Sequence, residues 1–149
     1  MGGVVIPDVI VTPLRVIQHD DGDIRHCMKS TDIGCSGFGE AYFSEINIGS
    51  VKGWKKHSKM TLNLSVVIGN IQFVMKDDRP RHSNSGFYSV SISAESPCRL
   101  TVPPGVWMAF RALGTEKSLL VNIASIQHDP AESANKELSK FDFDWSQTD

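Results

Sequence analysis

Apolar and polar residues alternate with period two along much of this chain, and helical periodicity is scarce. Met60, Leu62, Leu64 and Val66 oppose Thr61, Asn63 and Ser65. Ile71, Phe73 and Met75 oppose Gln72 and Val74, and Tyr88, Val90 and Ile92 oppose Ser89, Ser91 and Ser93. Tyr42, Ser44, Ile46 and Ile48 form another such set against Phe43, Glu45 and Asn47. Successive side chains of a strand point to opposite faces, so each run predicts a strand with two unlike faces. Further strands are expected at Arg99–Val102, Trp107–Leu113 and Ser118–Ile126.

Turn residues fall between these runs: Gly69-Asn70, the loop from Asp77 to Gly86, Pro103-Pro104-Gly105 and Gly114-Thr115. Many short strands punctuated in this way predict an all-β sandwich or barrel. His19-Asp20-Asp21-Gly22-Asp23 lacks the spacing and closing Glu of a calcium loop and reads as an exposed turn. One helical turn is expected within Asp129–Lys140. The alternating Phe141-Asp142-Phe143-Asp144-Trp145 is expected to lay aromatics on the barrel wall or on a partner subunit.

A length of 149 residues predicts a single domain over 1–149, with an arm over about 1–20 and a loose tail at 146–149. The net charge of −2 offers no electrostatic basis for nucleic acid or an anionic membrane. No apolar run approaches the ~20 residues that span a bilayer, and the start of the chain does not read as a secretory signal. Cys27, Cys35 and Cys98 form no CxxC pair. Their odd number argues against a disulfide scaffold and fits a reducing cytoplasm.

The polar strand faces admit two placements. Thr61, Asn63 and Ser65 either meet solvent or point into a ligand cavity while the aliphatic set packs on a second sheet. The alternation does not choose between them, and the serines at 89, 91 and 93 pose the same question.

Several stretches, in order, resemble one family. Val11-Thr12-Pro13-Leu14 leading into Asp21-Gly22-Asp23 is similar to an arm-and-turn start. Lys52-Gly53-Trp54-Lys55-Lys56-His57 resembles an Arg-Gly-Leu-His-Tyr-Gln strand, and 64–79 resembles the strand and loop that follow it. Val102-Pro103-Pro104-Gly105-Val106-Trp107-Met108-Ala109-Phe110 resembles Ile-Pro-x-Gly-x-x-His-Gly-Phe, and Asp129-Pro130 and Asp144-Trp145 match a tail. Together they resemble the dTDP-4-dehydrorhamnose 3,5-epimerase family of cupins over about residues 10–145. The resemblance implies a double-stranded β-helix, or jelly-roll barrel, that acts on nucleotide-linked 4-keto sugars. It also implies a metal-independent reaction without a cofactor, a homodimer, and a place in deoxysugar or surface-polysaccharide synthesis such as that of O-antigen.

The family's chemistry removes a proton beside the C4 ketone with a His base oriented by an Asp, and a Tyr returns a proton on the other face. A neutral imidazole suits that task near pH 7. Here Lys55 stands at the position of the family's His, and His57 lies two residues on, on the same strand face. Asn122 falls near the position of the Tyr, and Met108 replaces the second-motif His. A surface His in a basic run is the alternative for His57, and a buried, satisfied amide the alternative for Asn122. With His57 alone and no Glu nearby in sequence, a catalytic metal site is not expected.

The expected catalytic residues are therefore His57 as base, with Lys55 and Asn122 on the enolate. Lys52, in place of a family Arg, is expected on the diphosphate, with Asn63 and Met108 also against the substrate. Trp54, Trp107 and Tyr88 are candidates to stack a nucleotide base or to pack in the core. The leading expectation is an epimerase inverting one carbon. The alternatives are a 3,4-ketoisomerase of the same substrates and a cupin that binds a nucleotide sugar without turnover.

Overall fold

The computed structural model describes residues 2–82 and 86–146. Thirteen strands run in chain order: β1 (Gly2–Gly3), β2 (Ile10–Pro13), β3 (Val16–Ile17), β4 (Ile24–Arg25), β5 (Glu40–Ile46), β6 (Val51–His57), β7 (Leu62–Ile68), β8 (Asn70–Asp77), β9 (Tyr88–Ser93), β10 (Cys98–Val102), β11 (Val106–Leu113), β12 (Ser118–Ala124) and β13 (Ser133–Asn135). The expected turn in 129–140 is two 3-10 turns, Pro130–Glu132 and Leu138–Lys140, with β13 between them. No described helix is long and apolar enough to cross a membrane. Part of the expected 77–86 loop and most of the expected loose tail lie outside the described residues.

Eleven strands form a six-stranded sheet, β1-β9-β8-β11-β6-β13, and a five-stranded sheet, β2-β10-β7-β12-β5, while β3 and β4 pair separately. Neighbouring strands within both sheets are antiparallel. The two sheets enclose the main core, in which Leu62, Leu64, Val66 and Leu120 of one sheet meet Ile71, Phe73, Met75 and Met108 of the other. This is an all-β barrel, as the alternation predicts, and the cupin jelly roll that the resemblance implies.

Both outer walls are covered, which is why β7 and β8 are buried on both faces. A strap of residues 26–35 lies over the five-stranded sheet. Arg99, almost fully buried, donates to the carbonyls of Cys27 and Ile33 at 2.8 and 3.0 Å and to Asp32 at 3.3 Å. Asn63 Nδ2 donates to the carbonyl of Gly34 at 3.0 Å, and Thr101 Oγ1 donates to Asn63 Oδ1 at 2.6 Å. Gly34 has φ +88°, and a Cβ there would stand 2.5 Å from Thr101 Oγ1, so the strap crosses at glycine.

The tail covers the six-stranded sheet. Phe141, Phe143 and Trp145 pack with Trp54, Val74, Trp107 and Ala109 in a second apolar cluster. Phe141 meets Trp54 edge-on at 5.2 Å and Trp107 at 5.8 Å between ring centroids, and Trp54 Nε1 donates to the carbonyl of Leu138 at 3.2 Å. The aromatics expected on a wall or a partner thus lie on the chain's own barrel.

Candidate functional site

A cavity of about 220 Å³ opens between the two sheets. Its polar lining is Tyr42, Ser44, Lys52, Lys55, His57, Asn122 and Asn135, and its apolar lining includes Leu62, Leu64, Met108, Phe110 and Leu120. Among the described residues no Asp or Glu lines it, and Lys52 and Lys55 bring two ammonium-bearing side chains to its wall.

Local geometry explains how Lys52 shares the cavity with Lys55 and His57. A strand of strict alternation would turn residues three apart to opposite faces. On β11, Met108 pairs with Lys55 and Phe110 with Lys52, so three steps on β6 match two on β11. The extra residue is a β-bulge, and Gly53 lies within it at φ +139°. A Cβ on Gly53 would approach Ala109 Cβ to 2.5 Å. The bulge resets the face, sends Trp54 into the outer aromatic cluster and brings Lys52 inside. Lys52 Nζ donates to Ser44 Oγ at 3.0 Å.

His57 is buried, and its Nδ1 is hydrogen-bonded to Glu132 Oε1. Glu132 is buried at the end of the first 3-10 turn. Its second oxygen accepts from the backbone N–H groups of Lys59 at 3.0 Å and Met60 at 3.2 Å. Burial pushes the Glu132 pKa up, but the bonds from His57, Lys59 and Met60 outweigh it, and the net shift is downward. A carboxylate accepts, so Nδ1 carries the donated hydrogen and Nε2 is left as the basic nitrogen. β13 continues the same unit, pairing Ser133 with His57 and Asn135 with Lys55.

Of the residues singled out from the sequence, His57, Lys55, Asn122, Lys52 and Met108 meet in this cavity. Asn63 does not: its side chain faces the strap on the outer wall, bonded to Gly34 and Thr101. Its expected contact with substrate is corrected, because in the observed register Leu62 and Leu64 take the inner face of β7. The polar face of β7 therefore meets neither open solvent nor the cavity, but a covering segment whose carbonyls and side chains it satisfies. Trp54 and Trp107 are buried in the outer cluster and Tyr88 packs against the main core, so none of them lines the cavity.

Among the lining or supporting residues that the sequence reading does not single out are Glu132, Asn135 and Tyr42. Glu132 and Asn135 arrive from the tail, and Tyr42 from β5. Tyr42 belonged to an alternating run, yet nothing in the run marks its cross-strand partner. That partner is Asn122. Among the described residues, no group of three His, Cys, Asp or Glu side chains is placed to hold a metal ion.

No protein-family profile matches the chain, and comparison with curated proteins gives no match. Solved structures do match. The chain is similar to a dTDP sugar isomerase from Desulfovibrio desulfuricans G20, with 31% identity over 97% of this chain and 94% of that one and a TM-score of 0.89. It is similar in fold to a double mutant of ChmJ, a 3'-monoepimerase from Streptomyces bikiniensis, in complex with dTDP, with 16% identity, 95% and 76% coverage and a TM-score of 0.85. It is also similar in fold to dTDP-4-dehydrorhamnose 3,5-epimerase from Elizabethkingia anophelis NUHP1, with 17% identity, 99% and 87% coverage and a TM-score of 0.80.

Proposed function

Because the chain belongs to the cupin family of dTDP-sugar epimerases and isomerases that includes dTDP-4-dehydrorhamnose 3,5-epimerase, we propose that it is an epimerase of a nucleotide-linked 4-keto-6-deoxy sugar, inverting one carbon beside the C4 ketone. The observation that carries this reading is the buried His57–Glu132 pair at the wall of a cavity that Lys52 and Lys55 also line. A ketone acidifies the neighbouring C–H bond, and an imidazole fixed in one tautomer by a carboxylate is a competent base for it. Lys55 holds the developing enolate oxygen, because its ammonium reaches the cavity and no carboxylate there competes for it. Lys52 meets the diphosphate as a point charge. Met108 and the leucines give the sugar an apolar bed.

The reaction needs neither metal nor cofactor in this scheme. A homodimer in a reducing cytoplasm, serving deoxysugar or surface-polysaccharide synthesis, accompanies the proposal. The outer face of β5 and β7 offers exposed Phe43 and Ile68 for such an interface, and the molar mass in solution tests it.

Incubation with several nucleotide-linked 4-keto-6-deoxy sugars in deuterated water tests the activity. Deuterium at C3 or C5 is expected with one of them; no uptake with any overturns the reading. A second reading, 3,4-ketoisomerisation, is favoured by Asn122 near the position where the family places a phenol. A 3-keto product in the NMR spectrum would select it.

A further inference from the structure

Inversion of a carbon needs a proton donor on the face of the sugar opposite the base, and Asn122 cannot be one. We propose that Tyr42 supplies this proton and that Asn122 is the residue that positions it. This rests on the epimerase reading above. Tyr42 and Asn122 are direct cross-strand partners on β5 and β12, and both line the cavity. Asn122 Nδ2 donates to Tyr42 Oη at 3.0 Å. The direction of that bond is fixed from behind, since Asn122 Oδ1 accepts from the backbone N–H of Asn63 at 3.2 Å. An amide whose oxygen is held by a main-chain donor must turn its NH2 to the phenol.

Two consequences follow from the donor being the amide. Tyr42 accepts in this bond, so its own hydrogen is free for a group in the cavity. A donor on Oη also stabilises the negative charge left there once the proton has gone. Asn122 is completely buried, which shields its end of this contact from water, whereas Tyr42 is 43% exposed and has a route to solvent for its next proton. The other tyrosine, Tyr88, is absent from the lining.

The topology supplies the opposed faces. His57 stands on the six-stranded sheet and Tyr42 on the five-stranded one, so a sugar ring between the sheets meets imidazole from one wall and phenol from the other. His57 Nε2 takes the proton from the carbon beside the ketone. The C–H electron pair becomes the enolate double bond, and the carbonyl pair moves to the oxygen beside Lys55. The enolate then collapses, and the carbon takes the Tyr42 proton on its other face. The phenolate regains a proton from solvent and the imidazolium releases one, so the net change is inversion at a single carbon with nothing oxidised or reduced.

The test compares native protein with Tyr42→Phe and Asn122→Ala in deuterated water, following solvent exchange and epimer formation separately by NMR. Tyr42→Phe is expected still to exchange the proton that His57 removes, while epimer appears roughly 100-fold more slowly or less. Asn122→Ala is expected to lower kcat for epimer formation roughly tenfold with little change in KM, a split that loss of packing alone would not produce. Epimer formation at the native rate in Tyr42→Phe overturns the assignment. So does loss of exchange together with inversion in a folded Tyr42→Phe protein, which would put Tyr42 in substrate binding. Absence of exchange in the native protein overturns the epimerase reading itself and this assignment with it.

Discussion

Glu132 and His57 stand 75 positions apart in the chain and share one buried hydrogen bond at the cavity wall. The carboxylate fixes which nitrogen of the imidazole carries hydrogen, and the two main-chain donors on its other oxygen fix the carboxylate. The basic nitrogen is thus set by a segment that does not itself line the cavity at Glu132.

Replacing His57 with Asn keeps a polar side chain of smaller size but removes the proposed base. Deuterium exchange into a substrate is expected to fall by about 10²–10⁴-fold, the usual share of a general base. Binding of dTDP, measured by calorimetry, is expected to survive, since the nucleotide needs no imidazole.

Glu132→Gln removes the charge and keeps the shape. The exchange rate is expected to fall, by about tenfold or more, because an amide can present its NH2 to Nδ1 and stabilise the wrong tautomer. Stability carries a second signature. The folded pKa of Glu132 lies below its ordinary value, so the residue stabilises the fold above the unfolded pKa of about 4.3. That contribution is lost as pH falls through the folded value. In Glu132→Gln, melting temperatures measured from pH 6 downward are expected to fall less steeply than in the native chain.

How far the sequence reaches is plain at these two residues. Period-two alternation revealed the main strands, and it put Leu62, Leu64 and Val66 on one face and Asn63 and Ser65 on the other. It also put Lys55 and His57 on a common face. It does not show what covers a face, and it is the strap, bonded to Asn63 through Gly34, that accounts for the outward side chain. Nor does a local pattern carry contacts such as Glu132 with His57, or Tyr42 with Asn122, the second spanning 80 positions. Lys52 needed the bulge at Gly53, which no periodicity encodes.

Lys52→Ala is expected to weaken dTDP binding about tenfold, the value of a lost charge-assisted hydrogen bond. The salt dependence of binding, measured by titration at two ionic strengths, is expected to flatten in the variant.

Arg79 ties the arm to the barrel. Its Nε and one terminal nitrogen donate to the two oxygens of buried Asp77 at 2.9 Å each, and it also reaches the carbonyl of Pro7 and the carboxylate of Asp8. Burial pushes the Asp77 pKa up, yet the guanidinium bonds prevail and hold it below the ordinary value. Arg79→Met leaves that carboxylate buried without its partner, and chemical denaturation is expected to show a loss of about 2–4 kcal/mol near neutral pH. The loss is expected to shrink in acid, where native Asp77 is itself protonated.

Phe141→Ala is expected to cost about 2–4 kcal/mol by the same measurement, the price of a cavity among Trp54, Trp107 and the tail. Its exchange rate reports on the tail, since Trp54 and Lys136 trade backbone hydrogen bonds at 3.1 and 3.0 Å just beyond β13.

The tail is also the part of this fold that a ribosome delivers after strands β1 to β12. Until residues 130–145 emerge and dock, the nascent barrel has its imidazole but not the carboxylate that selects its tautomer. In the proposed scheme full base strength is therefore tied to tail docking, because the imidazole and the carboxylate that orients it meet only when residues 130–145 pack on the barrel.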